Sequence, residues 1–301
     1  MNFADRLDAA VRAKDSVCLL GLDPHPDLLP PPFAAAANSA EPRAARARAV
    51  GDFCCELIDL AATRVPAVKP QSAFFELFGA DGAVAWERVV EHAQSKGVLV
   101  VADVKRGDIA STALAYARAH LAPQGAGGLG RADAMTINPY LGTDTLEPFI
   151  ETCMAHDAGV FVLVRTSNPG SARYQTEGST PLAERIAADV TRLGAPLIGA
   201  CGWSSVGAVV GATHSAELAH WREQLPHAVL LLPGYGAQGG TAADVVPAFT
   251  RGRSGALVAS SRGIAFAYRA KGAPSDWREA ADRALDGMLA DLAGALAGPA
   301  R

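Results

Sequence analysis

Eight short apolar runs recur along the chain, separated by stretches of helical periodicity. They are Val17 to Leu22, Ala67 to Lys69, Val98 to Val104, Ala134 to Ile137, Gly159 to Val164, Gly207 to Gly211, Ala228 to Leu232 and Ala256 to Ala259. Their apolar character is continuous rather than alternating, as in parallel strands covered on both faces. Most end in a polar or glycine-rich cluster: Asp23-Pro24-His25-Pro26 after the first, Asn138-Pro139-Tyr140 after the fourth, Thr166-Ser167-Asn168 after the fifth, Pro233-Gly234 after the seventh and Ser261-Arg262-Gly263 after the eighth. Eight strands alternating with helices predict an α/β fold, a (β/α)8 TIM barrel, with catalytic groups at the C-terminal strand ends. An open doubly wound sheet is the alternative. A single domain over residues 1–301 is expected. It has an N-terminal helix with Phe3, Leu7 and Val11 on one face, and a long C-terminal helix from Asp276 to Gly298 with an apolar stripe from Leu285 to Leu296. Pro30 to Arg48 reads as an extended loop leading into a helix from Ala47 to Ala62, and Gln124 to Arg131 as a mobile glycine-rich loop.

Half of the 301 residues are hydrophobic and 19% are charged, which suits one large core. A net charge of −4 without a basic block points away from nucleic acid. No apolar run reaches the roughly 20 residues of a membrane span, and the acid-bearing N-terminus lacks the apolar centre of a signal peptide. Cys18, Cys54, Cys55, Cys153 and Cys201 form no C-x-x-C, and the seven histidines form no H-x-x-x-H. Neither a disulfide framework nor a metal site is expected, and a reducing cytoplasm fits best.

The stretch from Val98 to Thr112, VLVVADVKRGDIAST, carries the chemistry. Asp103, Lys105 and Asp108 fall within six positions at the end of a buried strand, ahead of a helical stretch from Ile109 to Leu121. In extended chain Asp103 and Lys105 point to the same side, and Asp108 at the helix start can cap free N–H groups. Charges are costly to place there without a purpose. The plain alternative is a surface salt bridge followed by an N-cap. Arg106-Gly107-Asp108 also spells an adhesion tripeptide, which nothing else in the chain supports.

Lysine is scarce: Lys14, Lys69, Lys96, Lys105 and Lys271 are the full set, and Lys69 and Lys105 both end apolar strands. An ammonium can give up a proton where a guanidinium cannot; a Lys69 that merely snorkels to solvent is the alternative. Gly234 to Gly240 satisfies G-x-G-x-x-G, but it lies late in the chain, and no acid follows in Thr250 to Ser254, where a dinucleotide site needs one. In a barrel, the loops after strands seven and eight form the usual phosphate site. Glycine N–H groups, a forked contact from Arg262 and the Gln238 amide would serve it. Neither Ser167 nor Ser204 lies in G-x-S-x-G, so a serine nucleophile is unsupported. Ser167 either hydrogen-bonds a substrate or stabilises its turn.

The run Asp103-Val-Lys105-Arg-Gly-Asp108-Ile109-Ala-Ser-Thr112 resembles the signature of the orotidine 5′-phosphate decarboxylase family, which catalyses the last step of UMP synthesis. Every defining position of Asp-x-Lys-x-x-Asp-Ile-x-x-Thr is present. The blocks KPQSAFFE (Lys69 to Glu76), NPYLG and TSNPGS are similar to the longer bacterial branch, type 2; Pro31 to Arg46 and the tail after Ala297 match nothing in it. The resemblance implies decarboxylation of orotidine 5′-monophosphate (OMP) to UMP and carbon dioxide, without metal or organic cofactor. It implies an alternating array of Lys69, Asp103, Lys105 and Asp108, with Lys105 protonating C6 of the pyrimidine. Asp23 and Lys69 would bind ribose hydroxyls and Ser167 the pyrimidine. Gln238 would bridge base and phosphate, Arg262 would hold the phosphate, and Pro233, Gly234 and Gly236 would line it. Asp108, Ile109 and Thr112 would enter the neighbouring subunit's site, making a homodimer with shared active sites. Two alternatives stand beside this. One is a magnesium-dependent sugar-phosphate decarboxylase of the same barrel superfamily, which would carry an added acid near Lys69. The other is a non-catalytic nucleotide-phosphate sensor.

Overall fold

Eight parallel strands close into one barrel in chain order: β1 Cys18–Leu22, β2 Ala67–Pro70, β3 Leu99–Arg106, β4 Ala134–Ile137, β5 Gly159–Arg165, β6 Ser204–Val210, β7 Ala228–Pro233 and β8 Ala256–Ser260. This computed structural model describes residues 1–123, 131–212, 215–236, 239–250 and 252–297. The expected loop at Gln124 to Arg131 lies, apart from Arg131, outside the described residues. The (β/α)8 barrel is therefore the observed fold, and the open doubly wound sheet is set aside because β1 pairs with β8 as well as with β2.

Most strand residues are fully buried, because the barrel interior and the outer helices cover both faces. The N-terminal helix Phe3–Lys14 lies across the N-terminal end of the barrel, with Phe3, Leu7 and Val11 buried. Phe3 meets Phe161 edge-on at 6.0 Å between ring centroids. It also fixes Gly159, where a Cβ would come within 2.2 Å of the Phe3 ring.

Four expected boundaries shift for local reasons. Strand β6 begins at Ser204 rather than Gly207. Its two serines are buried with partners: Ser204 Oγ donates to the Gly194 carbonyl (2.7 Å), and Ser205 Oγ accepts from the Ala4 N–H (3.3 Å). The expected extended loop from Pro30 to Arg48 is instead a 3-10 helix at Pro31–Ala36 followed by a helix at Arg43–Ala61. Phe33 orders this segment by inserting its ring beside Phe53 (5.4 Å) and Trp277 (5.6 Å). The C-terminal helix spans Trp277–Leu296, with Asp276 as its N-cap accepting from the Glu279 N–H. The helix after β3 runs Ala110–Leu121 with Ile109, not Asp108, at the cap position.

Candidate active site

The centre of the C-terminal mouth is the carboxylate of Asp103, 5% exposed near the end of β3. Lys69, from the adjacent strand β2, forms an ion pair with its Oδ2, and Gln71 Nε2 donates to the same oxygen at 3.1 Å. On Oδ1, Lys105 Nζ donates at 2.5 Å and Thr136 Oγ1 at 2.9 Å. Burial alone would raise the Asp103 pKa. The charges of Lys69 and Lys105, with their hydrogen bonds, outweigh it and hold the carboxyl far below its usual range. Burial likewise opposes the charge on Lys69, but Asp103 first and Asp23 second raise its pKa. Asp103 and Lys69 thus stay ionised at neutral pH. Lys69 is 8% exposed, so it does not snorkel to solvent.

Lys105 reaches Asp103 by a route other than the extended chain expected for it. Its φ is +44°, in the left-handed region that costs an L-residue about 1–2 kcal/mol. The strand is bulged here: Ala102 pairs with Met135 and Arg106 with Ile137, so four residue steps on β3 face two on β4. Several bonds hold the bulge. Arg106 Nη1 donates to the Val104 carbonyl (3.0 Å) and the Asn138 N–H to the Arg106 carbonyl (2.8 Å), while Arg106 also pairs with Glu76. The Lys105 side chain is 46% exposed, so the buried Asp103 presents an accessible ammonium to the mouth.

Asp108 does not join this cluster. Its Oδ1 accepts from the Ile109 N–H (2.8 Å), which corrects the expected capping of the helix proper, and among the described residues it makes no ion pair. Ile109 is 60% exposed and Thr112 is exposed beside it. A single chain therefore assembles Lys69, Asp103 and Lys105 and leaves Asp108, Ile109 and Thr112 on its surface.

Around the array lie groups with unmet hydrogen-bonding capacity. Asp23, just after β1, has a buried Oδ1 with no partner among the described residues, as has Ser261 Oγ after β8. Arg262 opens the short helix Arg262–Ala265, is exposed, and makes no ion pair or hydrogen bond through its side chain among the described residues. Across from it, Pro233 ends β7. Gly234 (φ +106°) and Gly236 (φ +70°) then adopt backbone that only glycine takes readily. Between them Tyr235 donates its hydroxyl to Asp291 of the C-terminal helix. Gln238 lies outside the described residues. Ser167 is half-buried beyond β5, and its Cβ is 3.0 Å from where one on Gly211 would stand. The preceding Thr166 is held by Gln175, which accepts its N–H (2.9 Å) and donates to its hydroxyl (2.9 Å).

Gln71 and Thr136 were not singled out by the sequence reading. The signal existed for both: each is an isolated polar side chain inside or just after an apolar strand at the mouth. Among the described residues no group of three or more His, Cys, Asp or Glu is arranged to hold a metal ion, and no helix is long and apolar enough to cross a membrane.

Residues 19–274 match the family model for orotidine 5′-phosphate decarboxylase / HUMPS. The chain is 43% identical over 309 residues to the orotidine 5′-phosphate decarboxylase of Rhodopirellula baltica, covering 98% of this chain and 100% of that one. With the enzyme of the same name from Deinococcus radiodurans it shares 44% identity over 213 residues, 70% of this chain and 75% of the other. Among solved structures, Leishmania donovani OMP decarboxylase superposes with a TM-score of 0.74 at 31% identity, covering 99% of this chain and 100% of that one.

Proposed function

The chain belongs to the orotidine 5′-phosphate decarboxylase / HUMPS family, and from that membership we propose a role for each group at the barrel mouth. The protein is a carboxy-lyase that converts OMP to UMP and carbon dioxide, the final step of UMP biosynthesis. The observation that carries the reading is the Lys69–Asp103–Lys105 array, which presents one exposed, charge-supported ammonium at the end of a buried strand.

The C6–carboxylate bond of the pyrimidine breaks with its electron pair left on C6, and carbon dioxide departs. Lys105 stabilises the developing negative charge and delivers its proton to C6; solvent then reprotonates the amine. Asp103 keeps Lys105 charged and aimed. Lys69 and Asp23 bind the ribose hydroxyls, and the unpartnered Asp23 Oδ1 supports this, since it is an acceptor without a donor. Ser167 contacts the pyrimidine, Gln238 bridges base and phosphate, and Arg262 holds the phosphate against the backbone of Pro233, Gly234 and Gly236. Binding energy from phosphate and ribose, remote from the bond that breaks, positions the ring.

Asp108, Ile109 and Thr112 act in the site of a second copy, so the enzyme is a homodimer with shared active sites. The exposure of Ile109 and Thr112, and the absence of any Asp108 ion pair among the described residues, support this. The free cysteines, four of them buried, suit a reducing cytoplasm. The acid nearest Lys69 in sequence, Glu76, is paired with Arg106, which supports metal-free chemistry over a magnesium-dependent sugar-phosphate decarboxylase. The test is OMP turnover followed by absorbance in excess EDTA. Undiminished conversion to UMP is expected. Loss of activity on chelation, or tight UMP binding without turnover, would overturn the reading in favour of the metal-dependent relative or the sensor.

A further inference from the structure

Thr136 is buried in β4, 1% exposed, and its hydroxyl faces the bulge at the end of β3. The bulge removes the Val104 and Lys105 N–H groups from regular strand pairing, since pairing jumps from Ala102 to Arg106. Both N–H groups turn instead to one atom: Val104 N donates to Thr136 Oγ1 at 3.0 Å and Lys105 N at 2.9 Å. The hydroxyl's own proton goes to Asp103 Oδ1 at 2.9 Å, the oxygen that also receives Lys105 Nζ. One hydroxyl therefore accepts twice and donates once, which uses its full capacity. It fixes the backbone of Lys105, in its unfavourable φ of +44°, and the carboxylate that aims the Lys105 side chain.

We propose that Thr136 is a positioning residue for decarboxylation: its hydroxyl locks the β3 bulge and the Asp103 carboxylate together, so that Lys105 Nζ is held where the proton is delivered. This rests on the decarboxylase reading. Thr136 contacts neither the phosphate loop nor the ribose groups, so its loss falls on the chemical step. Valine keeps the shape and removes the hydroxyl, leaving two N–H groups without an acceptor and Asp103 without one donor. Serine keeps the oxygen.

The experiment compares wild type, Thr136→Val, Thr136→Ala and Thr136→Ser in steady-state OMP turnover, with active sites counted by calorimetric titration with UMP. In Thr136→Val and Thr136→Ala, kcat per UMP-binding site falls roughly 100-fold, the scale of a small misplacement of a reacting group. KM and UMP affinity stay within about threefold, because both are set by groups Thr136 does not touch. Thr136→Ser recovers most of kcat. A hydroxyl needed only for folding would lower the number of UMP-binding sites and leave kcat per site unchanged; that result overturns the proposal. If Val and Ala both fail to fold, Thr136→Cys decides, since its thiol is a weaker donor and acceptor in the same place: kcat per UMP-binding site lowered roughly 10-fold or more upholds the proposal, and an unchanged kcat per site overturns it. A wild-type protein inert toward OMP overturns the decarboxylase reading and this one together, whereas an active wild type beside an unimpaired Thr136→Val overturns this one alone.

Discussion

The two ends of the barrel each bury an aspartate close to β3 and β4, and the two are served differently. At the N-terminal end Asp133, 6% exposed, accepts the Val100 N–H at 2.9 Å and pairs with Arg6 of the N-terminal helix. Nearby, Asp8 accepts from Ser254 Oγ (2.5 Å), which in turn accepts the Trp203 indole N–H (2.7 Å). These polar atoms find their partners in fixed protein groups, so the end acts as a plug. At the C-terminal end Asp103 holds two ammoniums, one of them open to the mouth, and Asp23 Oδ1 and Ser261 Oγ have no partner among the described residues. Backbone conformation divides the same way. Left-handed Asp15 and Asp157 close helices, as Asp tolerates. Left-handed Lys105 carries the exposed ammonium of the array, and left-handed Ala110 opens the helix that follows it. At the mouth, open polar groups and a left-handed Lys105 stand where the chemistry is.

The sharpest way to break this contrast is to remove the open ammonium. Lys105→Ala is expected to lower kcat by roughly 1,000-fold or more, since it deletes both proton donor and charge. UMP binding and the urea midpoint should stay near wild type. Steady-state kinetics with a calorimetric titration checks it; a kcat comparable to wild type removes Lys105 from the mechanism.

The next test asks whether the mouth is completed by a second copy. Inactive Lys105→Ala and inactive Asp108→Ala are mixed under conditions that exchange subunits. Random pairing makes about half the dimers mixed, and each has one site with both defects and one with neither, so about a quarter of all sites become native. Activity no higher than that of the separate mutants, with mixed dimers verified by mass, would reject sharing.

A smaller effect is expected at the phosphate. Arg262→Ala should raise KM for OMP by about 10- to 100-fold, the worth of a charge-assisted contact. It should cost much less for orotidine, which lacks the phosphate. Equal losses on the two substrates would take Arg262 away from the phosphate.

The least effect concerns His120, on the helix after β3. Burial first, and then the nearby Arg106, lower the His120 pKa to about 4 against the pull of Glu76. The unfolded chain binds this proton more readily, so stability is full above about pH 6.5 and declines as pH falls toward 4, by about 3 kcal/mol at most. Urea midpoints across that window should fall less steeply in His120→Gln. An unchanged slope would mean that His120 is not held neutral.

Much of this was legible in the chain. Eight continuous apolar runs mark a barrel because parallel strands are covered on both faces, and the Asp-x-Lys spacing marks two of the three groups that one chain brings together. What escaped depends on contacts between distant segments. Asp103 and Lys105 do meet, but through a bulge and a positive φ that no local pattern announces, not through extended chain. Thr136 and Gln71 are lone polar residues whose purpose exists only once β2, β3 and β4 are side by side. Phe33 orders its proline-rich segment through Trp277, more than two hundred residues away. Ser204 and Ser205 lie outside the apolar run that begins at Gly207, and join the strand through buried partners on distant segments.

The division of labour between the two ends is tested most directly by making one chemical change at both. Asp103→Asn and Asp133→Asn each replace a buried carboxylate with an amide. OMP turnover per folded molecule and the urea unfolding midpoint are then measured on the two variants together. Asp103→Asn should lose turnover by orders of magnitude beyond any loss of stability. Asp133→Asn should lower the midpoint, since Arg6 loses its counter-charge, at a cost of about 1–3 kcal/mol, with kcat per folded molecule unchanged. Equal losses of kcat in both variants, or full turnover in Asp103→Asn, would contradict the placement of the chemistry at the mouth.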